Sequence, residues 1–213
     1  MLNVICVKWG TKYNHDYVNK LYNMTQRRLN YEHRFICLTD NPAGIDPIIE
    51  SLPFPEDDTG WWNKLNLFRP YLHDIEGTIL YMDLDVVLVD SIDPLINYKG
   101  RNFCIIDDWL PQFHHNSSVM RFEFGSQPHI WTNYEEKKGL IRQNYRGDQE
   151  WISRHVPDAT TWPEGWCFSY KWGAKLKALN KPGVVPANGK IGVFAGRPKQ
   201  DEVSDLWVKR NWK

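Results

Sequence analysis

The stretch Ile79-Leu80-Tyr81-Met82-Asp83-Leu84-Asp85-Val86-Val87-Leu88-Val89 decides how the chain is read. Its nearly continuous apolar character is that of a buried strand covered on both faces of a parallel or mixed sheet. Two carboxylates interrupt it. Residues two apart on an extended chain point the same way, so Asp83 and Asp85 project to one side. Unpaired like charges inside an apolar layer are strongly unfavourable. The less costly arrangement ends the strand at Met82 or Asp83 and leaves both acids at its carboxyl edge, where open α/β sheets bind ligands. A divalent cation there would remove the repulsion, and the pair is read as a metal-and-ligand site. The bland alternative is a pair of solvated turn acids.

Outward from this stretch, the flanking segments build a sheet around it. Val4 to Val7 is a short apolar strand, and Lys8-Trp9-Gly10-Thr11-Lys12-Tyr13 a loop. Tyr17, Leu21, Met24 and Leu29 fall on one face of a helix between Asp16 and Asn30. Arg34 to Leu38 is a second strand, so the opening is β-loop-α-β, the beginning of a parallel sheet, and Ile48-Ile49 with the following Ser51-Leu52-Pro53 suggests a third short strand. Asp57-Asp58-Thr59-Gly60 reads as a helix start, with Trp61, Leu65, Phe68 and Leu72 as its buried stripe and Pro70 as a kink. Beyond the Asp pair, Val86 to Val89 is extended, Asp90 to Pro94 turns into a short helix, and Arg101 to Ile106 is a strand. Past Pro111, Asn116-Ser117-Ser118 is expected as a polar loop running into an extended segment. Residues 129–142 are helical in composition, Arg146 to Gln149 breaks the helix, and 150–155 resumes it. A last strand is expected over Lys190 to Phe194.

The bulk numbers exclude several classes. At 213 residues the chain has the length of one domain. Lys+Arg 26 balances Asp+Glu 26, which leaves no global field to recruit nucleic acid or an acidic membrane. Mean hydropathy is −0.56, and no apolar run reaches the ~20 residues that cross a bilayer. Cys6, Cys37, Cys104 and Cys167 show no zinc spacing and are expected as buried free thiols. With an amino terminus that lacks the features of a signal peptide, this points to the cytoplasm. The 11 tryptophans supply core or ligand platforms, and Trp162, Trp166, Tyr170 and Trp172 fit either a platform for a sugar face or a satellite core. The adjacent His114 and His115 point to opposite sides of an extended chain and cannot easily share an ion, so they are expected on a loop surface.

Two enzyme classes use an Asp-x-Asp strand end. Met82 to Val89 is similar to the nucleophile strand of haloacid-dehalogenase-like phosphatases, in which Asp83 would attack phosphorus. In those enzymes, however, the strand usually opens the fold, and Asp107-Asp108 follow too soon to be their acidic pair. The chain resembles the GT-A glycosyltransferases more fully, particularly the glycogenin-like and galactosyltransferase-like retaining enzymes and their small bacterial and phage relatives. Leu38-Thr39-Asp40, Trp61-x-x-Lys64-Leu65, Tyr81-Met82-Asp83-Leu84-Asp85, Ile92-Asp93-Pro94-Leu95, Asn116-Ser117-Ser118-Val119 and Gly147-Asp148-Gln149 stand in that family's order.

The resemblance implies an α/β fold with a mostly parallel central sheet flanked by helices. It also implies one domain over 1–213, a nucleotide-binding half (1–100) with the Asp-x-Asp motif and a sugar and acceptor half (101–213). It implies transfer of a hexose from a UDP-sugar to a saccharide acceptor, with Mn²⁺ or Mg²⁺ held by Asp83 and Asp85. Val7, Lys8, Trp9, Tyr13, Thr39, Asp40 and Leu84 would bind the nucleotide. Asn116, Ser117, Asp148 and Gln149 would hold the donor sugar, Lys64 with Asp148 and Gln149 would serve catalysis, and Gly196, Arg197 and Lys199 would meet the diphosphate.

Each of these residues also has a plain reading: Asp148 as a helix N-cap, Lys64 on a solvated face, Thr39-Asp40 as a turn. One position departs from the family pattern. Val193-Phe194-Ala195-Gly196-Arg197-Pro198-Lys199 keeps the glycine and lysine, but valine or alanine stands where the third metal ligand, a histidine, is usual. A nucleotidyltransferase would need a glycine-rich basic loop near the amino terminus, whereas Lys8 to Tyr13 has one glycine. A non-enzymatic carbohydrate-binding protein would explain the tryptophans and leave the Asp pair idle.

Overall fold

The structure is a computed structural model that describes residues 1–56, 58–100, 102–110, 114–172 and 184–213. Asp57, Arg101 and Pro111, named above at element boundaries, lie outside the described residues.

A seven-stranded sheet forms the centre, with β1 (Leu2–Lys8), β2 (Arg34–Thr39), β3 (Glu50–Leu52), β4 (Thr78–Met82), β6 (Cys104–Asp107), β7 (His115–Glu123) and β8 (Thr160–Thr161) in the order β3-β2-β1-β4-β7-β6-β8. Only β7 runs against the others in this sheet. A second, three-stranded sheet is ordered β5-β10-β9, from β5 (Val86–Leu88), β9 (Cys167–Ser169) and β10 (Ile191–Val193). The helices are α1 (His15–Arg28), α2 (Asp93–Asn97), α3 (His129–Glu136), α4 (Lys138–Asn144), α5 (Asp148–His155) and α6 (Leu206–Asn211).

Period-two alternation explains how the central strands bury both faces. Val4 and Cys6 of β1 and Leu80 and Met82 of β4 join α1 residues Val18, Leu21 and Met24 in one apolar cluster. Their alternates Ile5, Val7, Ile79 and Tyr81 join Leu65, Met120, Trp131 and Ile152 on the other face. The expected strand end at Met82 is where β4 stops. The apolar run does not continue as one strand, since β5 beyond the two acids belongs to the smaller sheet, antiparallel to β10. That sheet ties the carboxyl-terminal third back to the Asp pair.

Three expectations are corrected. The helix expected from Asp57 past Leu72 is a 3-10 helix over Gly60–Phe68. Side-chain bonds from Asn63 to the Asp58 and Gly60 carbonyls and from Asn66 to the Asn63 carbonyl compete locally with an α-helical ladder. The helix ends before Pro70, with Arg69 extended at φ −60° and ψ 147°, as a residue preceding proline prefers. At three residues per turn, Trp62, Leu65 and Phe68 share the core face. Trp61 falls off it and is 48% exposed. Second, Asn116-Ser117-Ser118 is not a loop but the start of β7. Third, His115, also in β7, is buried, with Nδ1 3.4 Å from the Ser153 hydroxyl. The four cysteines are free and buried, as expected.

Candidate functional site

The antiparallel pairing of β4 with β7 places the first residues of β7 beside the carboxyl end of β4, and the Asp83 amide donates to the Ser118 carbonyl at 2.8 Å. The Phe194 amide, just past β10, donates to the Asp85 carbonyl at 2.8 Å, which delivers Ala195 to Lys199 to the same edge. Gln200 fixes the turn between the acids, donating to the Leu84 and Val86 carbonyls at 3.1 and 3.3 Å. A cleft of about 230 Å³ opens here.

Lys64 is the hub of its inner wall. The ammonium lies 3.0 Å from Asp83 Oδ1 and 2.8 Å from Asp148 Oδ2, and donates to Ser117 Oγ at 3.1 Å. Lys64 and Trp61 reach the cleft together because residues three apart eclipse on a 3-10 helix. Lys64 is therefore buried and paired, not on a solvated face. Asp148 is the first residue of α5 and follows the N-cap Gly147, and its carboxylate is committed to Lys64 and, at 3.4 Å, to the Ser117 hydroxyl. It is not a cap.

Asp85 lies at the outer wall. Its Oδ2 accepts from the Tyr13 hydroxyl at 3.0 Å and from Lys199 Nζ at 2.7 Å, and Lys199 also donates to the Phe194 carbonyl at 2.9 Å.

The electrostatics separate the two acids. Burial alone would raise Asp83, but Lys64 and the Tyr81 hydroxyl overcome it and hold the carboxyl below its ordinary range. Asp85 is raised, by burial and then by the charge of Asp83, against the pull of Lys199 and Tyr13. Burial opposes the charge of Lys64, yet Asp148 and Asp83 outweigh it and keep the amine protonated. The Tyr13 and Tyr81 phenols are pushed up by burial and by the neighbouring carboxylates, so both remain donors.

Of the residues expected to bind nucleotide, Val7, Trp9, Tyr13 and Leu84 line the cleft, as do Asn116, Ser117, Asp148, Gln149, Gly196 and Lys199. Lys8, Thr39, Asp40 and Arg197 do not. Lys8 donates to the Asn41 carbonyl and Thr39 closes a turn with Asn41. Asp40 accepts from the Gly10 amide at 2.7 Å, which anchors the loop carrying Trp9 and Tyr13. Arg197 is 84% exposed and paired with Glu202.

Lys12, Trp61, Tyr81, Ser118 and Ala195 also line the cleft without having been singled out as ligand residues. For Trp61 the signal was Gly147, where a Cβ would lie 2.9 Å from the indole nitrogen. Asp108 is a further contributor: it accepts from Gln149 Nε2 at 2.9 Å and from the Leu110 amide at 2.8 Å, fixing the Gln149 amide by its nitrogen. Of the aromatics in question Trp162 is buried at 4% exposure, with its indole donating to the Val119 carbonyl, while Trp166, Tyr170 and Trp172 are half-buried against the same apolar cluster and Tyr170 stacks on Phe194.

Asp83 and Asp85 offer hard carboxylate oxygens, the donors that Mg²⁺ and Mn²⁺ take. Among the described residues no group of three or more His, Cys, Asp and Glu side chains could hold a metal. The donor set thus fits an ion that completes its shell with phosphate oxygens and water, the usual habit of Mg²⁺.

No protein-family model matches the sequence, and no curated protein matches it. Solved structures do. The galactosyltransferase LgtC, in complex with donor and acceptor sugar analogs, superposes with a TM-score of 0.63 at 15% identity over 93% of this chain and 88% of that one. An active-site mutant of LgtC gives 0.66 at 15% identity over 98% and 93%. The glycosyltransferase GlyE of Streptococcus pneumoniae TIGR4 gives 0.68 at 13% identity over 94% of this chain but 56% of GlyE. Among the described residues no helix is long and apolar enough to cross a membrane. At such identities the likeness is one of fold, and the chain has the α/β, GT-A architecture seen in these glycosyltransferases.

Proposed function

We propose that the protein is a metal-dependent glycosyltransferase that moves a hexose from a nucleotide sugar, UDP-glucose or UDP-galactose, to a saccharide acceptor. The observation that carries this is the meeting of Asp83, Asp85, Lys64, Asp148 and Lys199 in one cleft, at the strand edge of a fold shared with glycosyltransferases. A diphosphate-sugar needs cations where its phosphates leave and hydrogen-bond acceptors where its hydroxyls sit. This cleft offers ammonium groups beside the Asp pair and the Asp148 carboxylate and Gln149 amide beyond them.

In the reaction the anomeric C–O bond to the diphosphate breaks, with its electron pair leaving on phosphate oxygen. The acceptor hydroxyl oxygen forms the new C–O bond and its proton passes to the departing diphosphate oxygen, through a transition state with oxocarbenium character. Bound by Asp83 and Asp85, Mn²⁺ or Mg²⁺ would stabilise the charge growing on the diphosphate. Lys199 is placed to neutralise the same charge. Trp9 and Tyr13 offer ring faces to the base. Asp148, acceptor-only and oriented by Lys64 and Ser117, takes the sugar hydroxyls with Gln149 and Asn116. In this scheme the first half of the chain binds the nucleotide and the second the sugars, within one domain. Retention of anomeric configuration is the outcome the resemblance implies.

Calorimetry with UDP, UDP-glucose, UDP-galactose and GDP-mannose, with and without Mn²⁺, tests the reading. UDP and a UDP-hexose should bind when Mn²⁺ is present. If none of the nucleotides binds with the metal supplied, the transferase assignment fails. Release of inorganic phosphate from phosphomonoesters, abolished by Asp83→Asn, would instead favour the phosphatase.

A further inference from the structure

Of the lysines that line the cleft, Lys64 and Lys199 are held very differently. Lys64 is enclosed by Asp83, Asp148 and Ser117 and belongs to the inner wall. Lys199 comes from the segment that follows β10 and is held by one carboxylate oxygen, Asp85 Oδ2 at 2.7 Å, and one carbonyl, that of Phe194 at 2.9 Å. Beside it, Ala195 and Gly196 are exposed at the cleft. The Asp85 oxygen that meets Lys199 also accepts from Tyr13, so both the charge and the lone pairs of that atom are committed.

A divalent cation held by Asp85 would share one carboxylate with this ammonium, and two positive charges on one carboxylate repel. Asp85 Oδ2 cannot serve both, and a cation on the other carboxylate oxygen would still face the charge of the ammonium. The lysine needs another anion before it can leave, and the diphosphate of a donor supplies one at the same edge.

We propose that Lys199 is a built-in counter-ion of Asp85 that moves on to the donor diphosphate when the cation arrives, so that metal and nucleotide bind together and each poorly alone. The proposal rests on the nucleotide-sugar reading. It adds that a lysine occupying Asp85, and not only the lack of a third ligand, lowers the metal affinity of the ligand-free protein. Linkage makes the effect reciprocal: UDP raises Mn²⁺ affinity by the factor by which Mn²⁺ raises UDP affinity.

The test is Mn²⁺ titration followed by electron paramagnetic resonance of the free ion, corrected for the Mn²⁺–UDP complex in solution. Wild type and Lys199→Met are compared with and without UDP. Without nucleotide the variant should bind Mn²⁺ about tenfold more tightly than wild type, a factor ordinary for coupled sites. UDP should raise Mn²⁺ affinity about tenfold or more in wild type and much less in the variant. Lys199→Gln, which can still donate to the Phe194 carbonyl, carries the comparison if the methionine variant does not fold. Equal or weaker Mn²⁺ binding by a folded variant without nucleotide, while wild type still binds UDP with Mn²⁺, overturns the counter-ion role and leaves the transferase reading standing. Failure of wild type to bind UDP at any Mn²⁺ concentration overturns both.

Discussion

Replacing Lys64 by methionine tests whether the cleft is organised by a buried cation. Methionine fills much of the lysine stem but leaves Asp83 and Asp148 facing each other, with the Asp148 side chain 9% exposed. At an effective dielectric constant of about 20, ion pairs at 2.8 and 3.0 Å are each worth roughly 5–6 kcal/mol of gross attraction. Most of that is offset by the desolvation of three charged groups. Removing one partner of a buried pair nevertheless costs about 3–5 kcal/mol, because the remaining charge is uncompensated. For a chain of this length each kcal/mol shifts the melting temperature by about 2–4 °C, so Lys64→Met should melt roughly 10 °C lower at neutral pH.

The pH dependence gives the charge its signature. In wild type the folded-state Asp83 carboxyl lies below its ordinary 3.8, so its contribution is present above that value and lost as the pH falls through the depressed one. In the variant, burial acts without Lys64 and raises the group, so stability is lost as the pH rises through its new titration. The gap between the proteins should therefore be widest at neutral pH and narrow towards pH 4. Lys64→Met with Asp148→Asn should recover much of the loss, since the two sites are coupled. Thermal unfolding by circular dichroism at pH 7 and pH 4 measures this. A neutral-pH shift under about 2 °C, or a gap independent of pH, would refute the account of Lys64.

Ala195→His would place an imidazole at the cleft beside the Asp pair. Mn²⁺ affinity without nucleotide should rise, and unchanged binding in the resonance titration would mean that residue 195 does not reach the ion. Gly147→Ala adds a Cβ that would lie 2.9 Å from the Trp61 indole nitrogen. Trp61 is half-exposed and can yield, so calorimetry should find weaker UDP-hexose binding with little change in melting temperature; a large loss of stability would contradict this. His115 and His155 are held below the ordinary imidazole range by burial, and then by neighbouring His114 and His129. As the pH falls from 7 to 5 the unfolded chain takes up those protons more readily than the folded one, so stability should fall over that window. His155→Gln should reduce the fall, and an identical profile would rule this imidazole out as a contributor.

What could be read from the residues depended on whether burial alone constrained them. Two acids in the run 79–89 cannot both stay in an apolar layer, so the strand had to end near Met82, and the α1 stripe Tyr17, Leu21 and Met24 had to face the sheet. Asn116, Ser117 and Ser118 carry no such signal. They are polar yet lie in β7, because antiparallel pairing with β4 brings the amino end of β7 to the cleft, where polar side chains have partners. The 3-10 segment was missed for a related reason. A 3.6-residue period grouped Trp61 with Leu65 and Phe68, whereas Asn63 and Asn66 bond to nearby carbonyls and shorten the period to three. That change of period turns Trp61 from the core towards the cleft that Lys64 also lines. Lys199 was legible only as a residue type at a motif position. Its pairing with Asp85 spans 114 residues of sequence and depends on β10 pairing with β5, a contact that no local pattern specifies. The same pairing delivers Ala195 and Lys199 to the cleft together. On the proposed function, the pairing of Asp85 with Lys199 favours taking up a cation together with an anionic donor.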